Sequence, residues 1–207
     1  MTKIYFYKLT CDDLGAPCVQ SDLLSLAICK PTIRSTAESG DLIFGFAANS
    51  LHPDNRLIYA ARVTEKLRDG EYYNDAQYSQ RGDCIYRFEA DGYVWKSGSQ
   101  RHGKPEDLDR DLGKFPKYSR ANVLLSKDFR YFGKAGSDEY KSKFPHVCEA
   151  VNLLGQGSRV WHVHALRDEL CRMADWVWQT TPKEKIGEPT SRPSRSRCHR
   201  GKSCGIV

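Results

Sequence analysis

Lys8, Asp12, Lys30, Arg34, Asn49 and Arg62, together with the rings of Phe46, Tyr59 and Tyr86, are the side chains of this chain whose chemistry suits a nucleotide. Cations pair with phosphate, a carboxylate and an amide can meet a base edge, and flat rings stack on a base. Lys30 and Arg34 stand four apart around a predicted helix start, so both charges would meet one phosphate beside free backbone N–H groups. Each residue alone also has a plain reading, Arg34 as a solvated charge and Phe46 as core. As a set they favour a pocket for a nucleotide or a modified nucleobase. They name no reaction.

Other residues offer other chemistry. His162 and His164 form a His-x-His pair, and on a strand residues two apart share a face. Both imidazoles would then reach one metal ion, with Asp83, Asp128 or His146 as third ligand, and the protein would be a metal-dependent hydrolase. No third ligand stands at a familiar spacing, so the simpler reading is one buried and one solvated histidine, and no metal site is assigned. Cys18 would be a nucleophile if a histidine activated it, yet none lies within about thirty residues. It reads as a passive loop thiol. Cys198, His199 and Cys204 make only half a zinc site.

The elements that must position these residues follow from pattern. Lys3 to Thr10 alternates and predicts a first strand, and Leu23 to Cys29 a second. Pro31 suits the first turn of a short helix running towards Glu38. Gly40-Asp41 turns into a buried strand with Phe44 and Phe46 on one face, and Gly45 between them leaves room for a close neighbour. Leu57 to Lys66 is the next strand. Asp91-Gly92 predicts a hairpin between Asp83–Phe88 and Tyr93–Trp95. Residues 97 to 120 read as a long polar loop, Asn122 to Lys127 and Val160 to Val163 as strands. Ala165 to Gln179 is the clearest helix, with Leu166, Leu170, Met173 and Val177 forming an apolar stripe.

Length, at 207 residues, allows one sizeable domain and an appendage. From Lys183 onward seven Lys or Arg face two acids, so this stretch carries +5 of the net +6 and residues 1–182 are close to neutral. Its Pro, Ser, Arg and Gly content predicts a disordered basic tail over 183–207, able to bind nucleic acid non-specifically, behind a folded unit at 1–182. Eight cysteines without a signal-like N-terminus suggest free thiols and a cytoplasmic protein. No stretch is apolar enough for a membrane span. Short strands, few helices and a C-terminal amphipathic helix give an α+β fold around a small, strongly bent or barrel-like mixed sheet.

A closer resemblance rests on Lys8-Leu-Thr-Cys-Asp-Asp13, Gly15-Ala-Pro-Cys18, Leu24 to Pro31, Ile33-Arg34, Gly40-Asp41, the Gly45–Ser50 loop and Leu57 to Lys66. Arg81-Gly-Asp83, Ile85-Tyr86, Val123 to Ser126 and Phe129 with Tyr131-Phe-Gly133 continue it. Over most of residues 3 to 170 the chain resembles the nucleotide modification associated domain family, second type. The order of elements is also similar to PUA-like folds, including EVE and ASCH domains, which hold bases in a pocket. The resemblance implies a bacterial or phage setting of DNA or nucleotide modification, in which a modified-base reader taking a flipped base from DNA is a further alternative.

Overall fold

In Ile-Tyr-Phe-Tyr-Lys-Leu the side chains alternate, so Ile4 and Phe6 point to one side of strand β1 (Ile4–Leu9) and Tyr5, Tyr7 and Leu9 to the other. Both sides are buried. The strand must therefore lie inside the molecule, and the computed structural model places it there. The model describes residues 2–98, 101–155, 157–182 and 185–190. Strands β2 (Cys18–Gln20) and β3 (Leu23–Leu26) form a hairpin, and α1 (Pro31–Thr36) carries the chain across to β4 (Leu42–Ala47). β4 lies parallel to β1, and β5 (Leu57–Arg62) runs antiparallel beside it. With β10 (Asp128–Tyr131) and β11 (Ser158–Arg159) at the edges, the first sheet has the order β10-β5-β4-β1-β11.

A second, antiparallel sheet has the order β2-β3-β9-β6, where β6 is Glu65–Leu67 and β9 is Val123–Ser126. The two sheets share one apolar cluster, Tyr5, Tyr7, Ile43 and Tyr59 meeting Leu24, Leu26 and Leu124. The opposite face of the first sheet is covered by α4 (Tyr140–Lys143), α5 (Pro145–Leu153) and α6 (His164–Thr180). The apolar stripe read from the sequence of α6 is the buried one. A hairpin of β7 (Tyr86–Glu89) and β8 (Gly92–Trp95), with α2 (Glu71–Asn74) and α3 (Pro105–Leu112), closes a third cluster over the second sheet.

The architecture is mixed α+β, and among the described residues neither sheet closes into a barrel. The expected polar loop over 97–120 contains α3, whose apolar positions are too few to show a period. Pro105 at its first turn and the acids Glu106 and Asp107 behind it are the signals that start it. Val160 to Val163 is not a strand. That segment leads into α6, and the strand lies two residues earlier. Of the region read as a tail, residues 185–190 run beside β10, with Ile186 N–H bonding to Tyr131 O and Thr190 N–H to Asp12 O. The remainder, 191–207, which includes Cys198, His199 and Cys204, lies outside the described residues.

Gly45 faces the Tyr59 ring, and a methyl there would overlap it. The room left by this glycine is thus filled by the protein's own tyrosine. Phe46 points the other way, between Phe6 (ring centroids 6.2 Å) and Tyr140 (5.0 Å), with no exposed surface. Phe46→Ala is expected to cost about 3–5 kcal/mol of stability in the absence of any ligand. Urea unfolding measures it, and a loss under about 1 kcal/mol would contradict the packing.

Candidate active site

Beyond β3 the chain turns sharply into α1. Cys29 and Lys30 hold consecutive left-handed conformations, φ 57° and 44°, before Pro31 opens the helix. Such a conformation costs a non-glycine residue about 1–3 kcal/mol, so something must hold it. Two bonds do. Cys29 N–H donates to Asp111 Oδ1 at 2.9 Å, and Cys29 O accepts from Arg34 Nε at 2.7 Å. The turn leaves the Cys29 side chain half-buried, and its sulfur lies 3.3 Å from His102 Nε2.

His102 Nδ1 lies 2.5 Å from Asp111 Oδ2. Thiol, imidazole and carboxylate thus follow one another at hydrogen-bond distance, the order in which nucleophilic catalysis uses such groups. Burial by itself would lower the affinity of His102 for a proton. The Asp111 carboxylate and the Cys29 sulfur as hydrogen-bond partners prevail and push its pKa up to about 10. At neutral pH the imidazole is thus charged, and it donates to both neighbours. Tyr86 hydroxyl donates to Asp111 Oδ2 at 2.9 Å, and Trp95 Nε1–H donates to the His102 carbonyl.

Arg34 explains why these parts meet. It is wholly buried and donates to four backbone carbonyls: Cys29 at 2.7 Å, Asp111 at 2.6 Å, Asn122 at 2.6 Å and Arg120 at 2.8 Å. Its Nη2 is also 3.9 Å from Asp111 Oδ1. One guanidinium thereby ties the turn after β3 to the end of α3 and the start of β9. Such planar, five-donor geometry is available to Arg and not to Lys.

Next to the triad lies a set of hydroxyls. Tyr59 donates to the Tyr7 hydroxyl at 3.0 Å, and the Lys30 ammonium stands 4.4 Å from the Tyr7 ring centre. Burial, then Tyr59, then the nearby Cys29 and Asp12 hold the Tyr7 phenol well above its ordinary pKa, so it stays a proton donor. Asp12 accepts from the Tyr131 hydroxyl at 2.9 and 2.8 Å. Burial raises the Asp12 carboxyl to about 6 against that bond, with help from Asp13, which puts it in the range of a general acid or base near neutral pH. Lys30 Nζ lies 3.4 Å from the Lys8 carbonyl, whereas the Lys8 ammonium turns to the other face of the sheet and meets Asn152 O at 3.4 Å.

A family model for nucleotide modification associated domain 2 matches residues 1–195. The chain belongs to that family. No curated protein and no solved structure matches it.

In this nucleotide modification associated domain, five of the nine residues singled out from sequence gather around Cys29. Asp12, Lys30 and Tyr59 line its surroundings, Arg34 and Tyr86 support the triad from behind, and Lys8 faces Asn152 on the helix-covered side of the sheet. Arg34 is neither a solvated charge nor a phosphate ligand here, because its donors are occupied by carbonyls in a site closed to solvent. Phe46 lies on the helix-covered face of the sheet. Asn49 is exposed and accepts from Asn55 Nδ2 at 2.7 Å. Arg62 stands at the far edge with Asp128 (3.3 Å) and over the Trp178 ring (5.5 Å).

The two histidines part company. His162 stacks on Phe6 at 5.6 Å and meets Ile4 O at 2.8 Å, while His164 is exposed beside Asp168 at the start of α6. Among the described residues no cluster of three His, Cys, Asp or Glu could hold a metal ion. The six described cysteines are all free thiols. Cys18 is buried, and burial pushes its pKa up to about 12, which disfavours the thiolate. No described helix is long and apolar enough to cross a membrane.

Cys29, His102 and Asp111 were not visible as a site in the sequence. Cys29 has apolar neighbours and reads as a small core residue, and its base stands 73 positions away. The one local clue is a cysteine two residues ahead of a helix-opening proline.

Proposed function

We propose that this domain processes a nucleotide or modified nucleobase by covalent catalysis at Cys29, transferring or hydrolysing an acyl or amide group. The observation that carries the reading is the Cys29–His102–Asp111 alignment on a strained strand-to-helix turn. Membership of the nucleotide modification associated family supplies the setting. The proton shared by the pair rests on the charged His102 at the start, so the Cys29 sulfur bonds to the carbonyl carbon directly as the carbonyl π pair moves to oxygen. When the intermediate collapses, the bond to the leaving nitrogen or oxygen breaks and His102 returns the proton to it. Water, deprotonated by the now neutral His102, then attacks the thioester and releases the Cys29 sulfur, which restores the resting pair with the proton on His102. Asp111 keeps the ring in the tautomer these steps need. In this reading the Tyr7 hydroxyl and Lys30 ammonium stabilise the developing oxyanion, and Asp12 suits the base. In the same reading the five-stranded sheet, like those of PUA-like domains, carries the base-holding pocket.

A charged imidazole beside a thiol favours the reactive thiolate. Treatment with iodoacetamide at a pH of about 6.5, followed by peptide mass spectrometry, is expected to label Cys29 ahead of exposed Cys171, and nucleoside monophosphates are expected to protect it. Labelling of Cys29 no faster than Cys171 would overturn the reading.

A further inference from the structure

We infer that the surface made by the β7–β8 turn and the segment after α3 binds single-stranded nucleic acid. Four aromatic rings run across it in contact: Phe88 to Tyr93 at 5.1 Å, Tyr93 to Tyr118 at 4.9 Å, and Tyr118 to Phe115 at 6.1 Å between centres. The two ends of this ladder face water, Phe88 at 54% exposure and Phe115 at 66%. Large apolar side chains left open in this way on a small domain mark a binding surface more often than chance. The ladder is built into the fold: Tyr118 hydroxyl accepts Tyr93 N–H at 3.0 Å, so the two segments are fixed against each other.

Charge selects the partner. From Gly113 to Arg120 the chain carries Lys114, Lys117 and Arg120, all exposed, and no acid. These cations and Phe115 line an open hollow of about 610 Å³ that also receives Arg110, with Glu106 and Asp109 on its α3 side. Arg110 is paired with Asp107 and Arg87 with Glu89, so the free cations beside Phe115 are those of 113–120, with acids at Asp91 in the β7–β8 turn and on α3. Exposed rings beside a segment with three cations and no acid suit a polymer with flat bases and a phosphate backbone. A duplex hides its base faces, so a single strand is the occupant that uses both features.

The surface is joined to the triad by two elements. β7 carries Tyr86, which bonds Asp111, and two residues further Phe88, roughly 7 Å along the same strand face. α3 ends with Asp111 and Leu112, and Phe115 follows three residues later. Strand binding stands independently of the Cys29 chemistry. The additional step, that the base processed at Cys29 is carried within a strand, rests on the proposed function.

Fluorescence anisotropy of the full chain with a labelled oligothymidylate of about 15 nucleotides tests it. Phe88→Ala and Phe115→Ala are each expected to raise Kd about 5- to 10-fold, the effect of a lost base–aromatic stack. Lys114→Glu with Lys117→Glu is expected to weaken binding further and to flatten its dependence on salt between about 50 and 200 mM. The basic 191–207 segment is present in every variant and drops out of the comparison. Unchanged affinity in both phenylalanine variants would overturn the inference, as would tighter binding of duplex than of single strand. The iodoacetamide rate at Cys29, measured in the same variants, is expected to stay at the wild-type value, so failure of strand binding and failure of the Cys29 reading are read separately.

Discussion

Arg34→Met is expected to destabilise the domain by more than about 4 kcal/mol, enough to leave much of it unfolded. Four carbonyls now accept from one buried guanidinium, and methionine fills a similar volume with no donor. Each buried acceptor left without a partner costs about 1–3 kcal/mol, and part of that is recovered only if water reaches it. Asp111 would in addition lose its buried cation at 3.9 Å. Arg34→Lys is expected to rescue little, since one ammonium cannot reach carbonyls on three separate segments. Arg62→Met supplies the contrast. That arginine is half-buried and pairs with Asp128 at the sheet edge, where an ion pair is worth at most about 1 kcal/mol. Urea unfolding of the three variants compares them. If Arg34→Met costs no more than Arg62→Met, the clamp is not what holds the turn at Cys29.

The contrast also bears on what the sequence could reveal. β1, β4, β5 and α6 were legible because each buries a face at a period of two or 3.6, and periodicity is a local property. α3 was hidden, since a short polar helix with Leu108 and Leu112 as its apolar residues leaves no such trace. Arg34 and Tyr86 were expected to line a ligand pocket, and sequence could not say whether such side chains face a ligand or the protein. The structure turns both inward, toward Asp111 and the Cys29 turn. Cys29 itself escaped because a nucleophile is defined by its base, and His102 comes to it only through the docking of α3 and the hairpin on β3. The His162–His164 pair shows why the strand expected over Val160 to Val163 mattered. A spacing of two means a shared face only on a strand, and that segment turns into a helix.

Asp111→Asn is expected to remove the chemistry while keeping much of the shape. The aspartate accepts from Cys29 N–H through Oδ1 and from His102 and Tyr86 through Oδ2. An asparagine can keep the first bond with its oxygen. Its NH₂ then faces His102 Nδ1, which must become an acceptor, so the ring proton moves to Nε2 and the ring can no longer take the Cys29 proton. The rate of the Cys29-dependent reaction is expected to fall about 10²–10⁴-fold, the range for losing a general base or its correct tautomer. Stability reports the same change independently of any substrate. In the wild type His102 holds its proton up to about 10, whereas an unfolded imidazole loses it near 6.5. Between those values the folded state binds more protons, so this contribution, complete below about 6.5, is lost as pH rises to about 10. In Asp111→Asn the strongest raising partner is gone and burial is opposed by Cys29 alone, so the decline attributable to His102 shrinks. Urea midpoints at pH values of about 6.5, 8 and 9.5 are thus expected to fall more steeply in wild type than in the variant. Parallel curves, with Cys29 alkylated at equal rates in both proteins, would show that Asp111 neither charges nor orients the histidine.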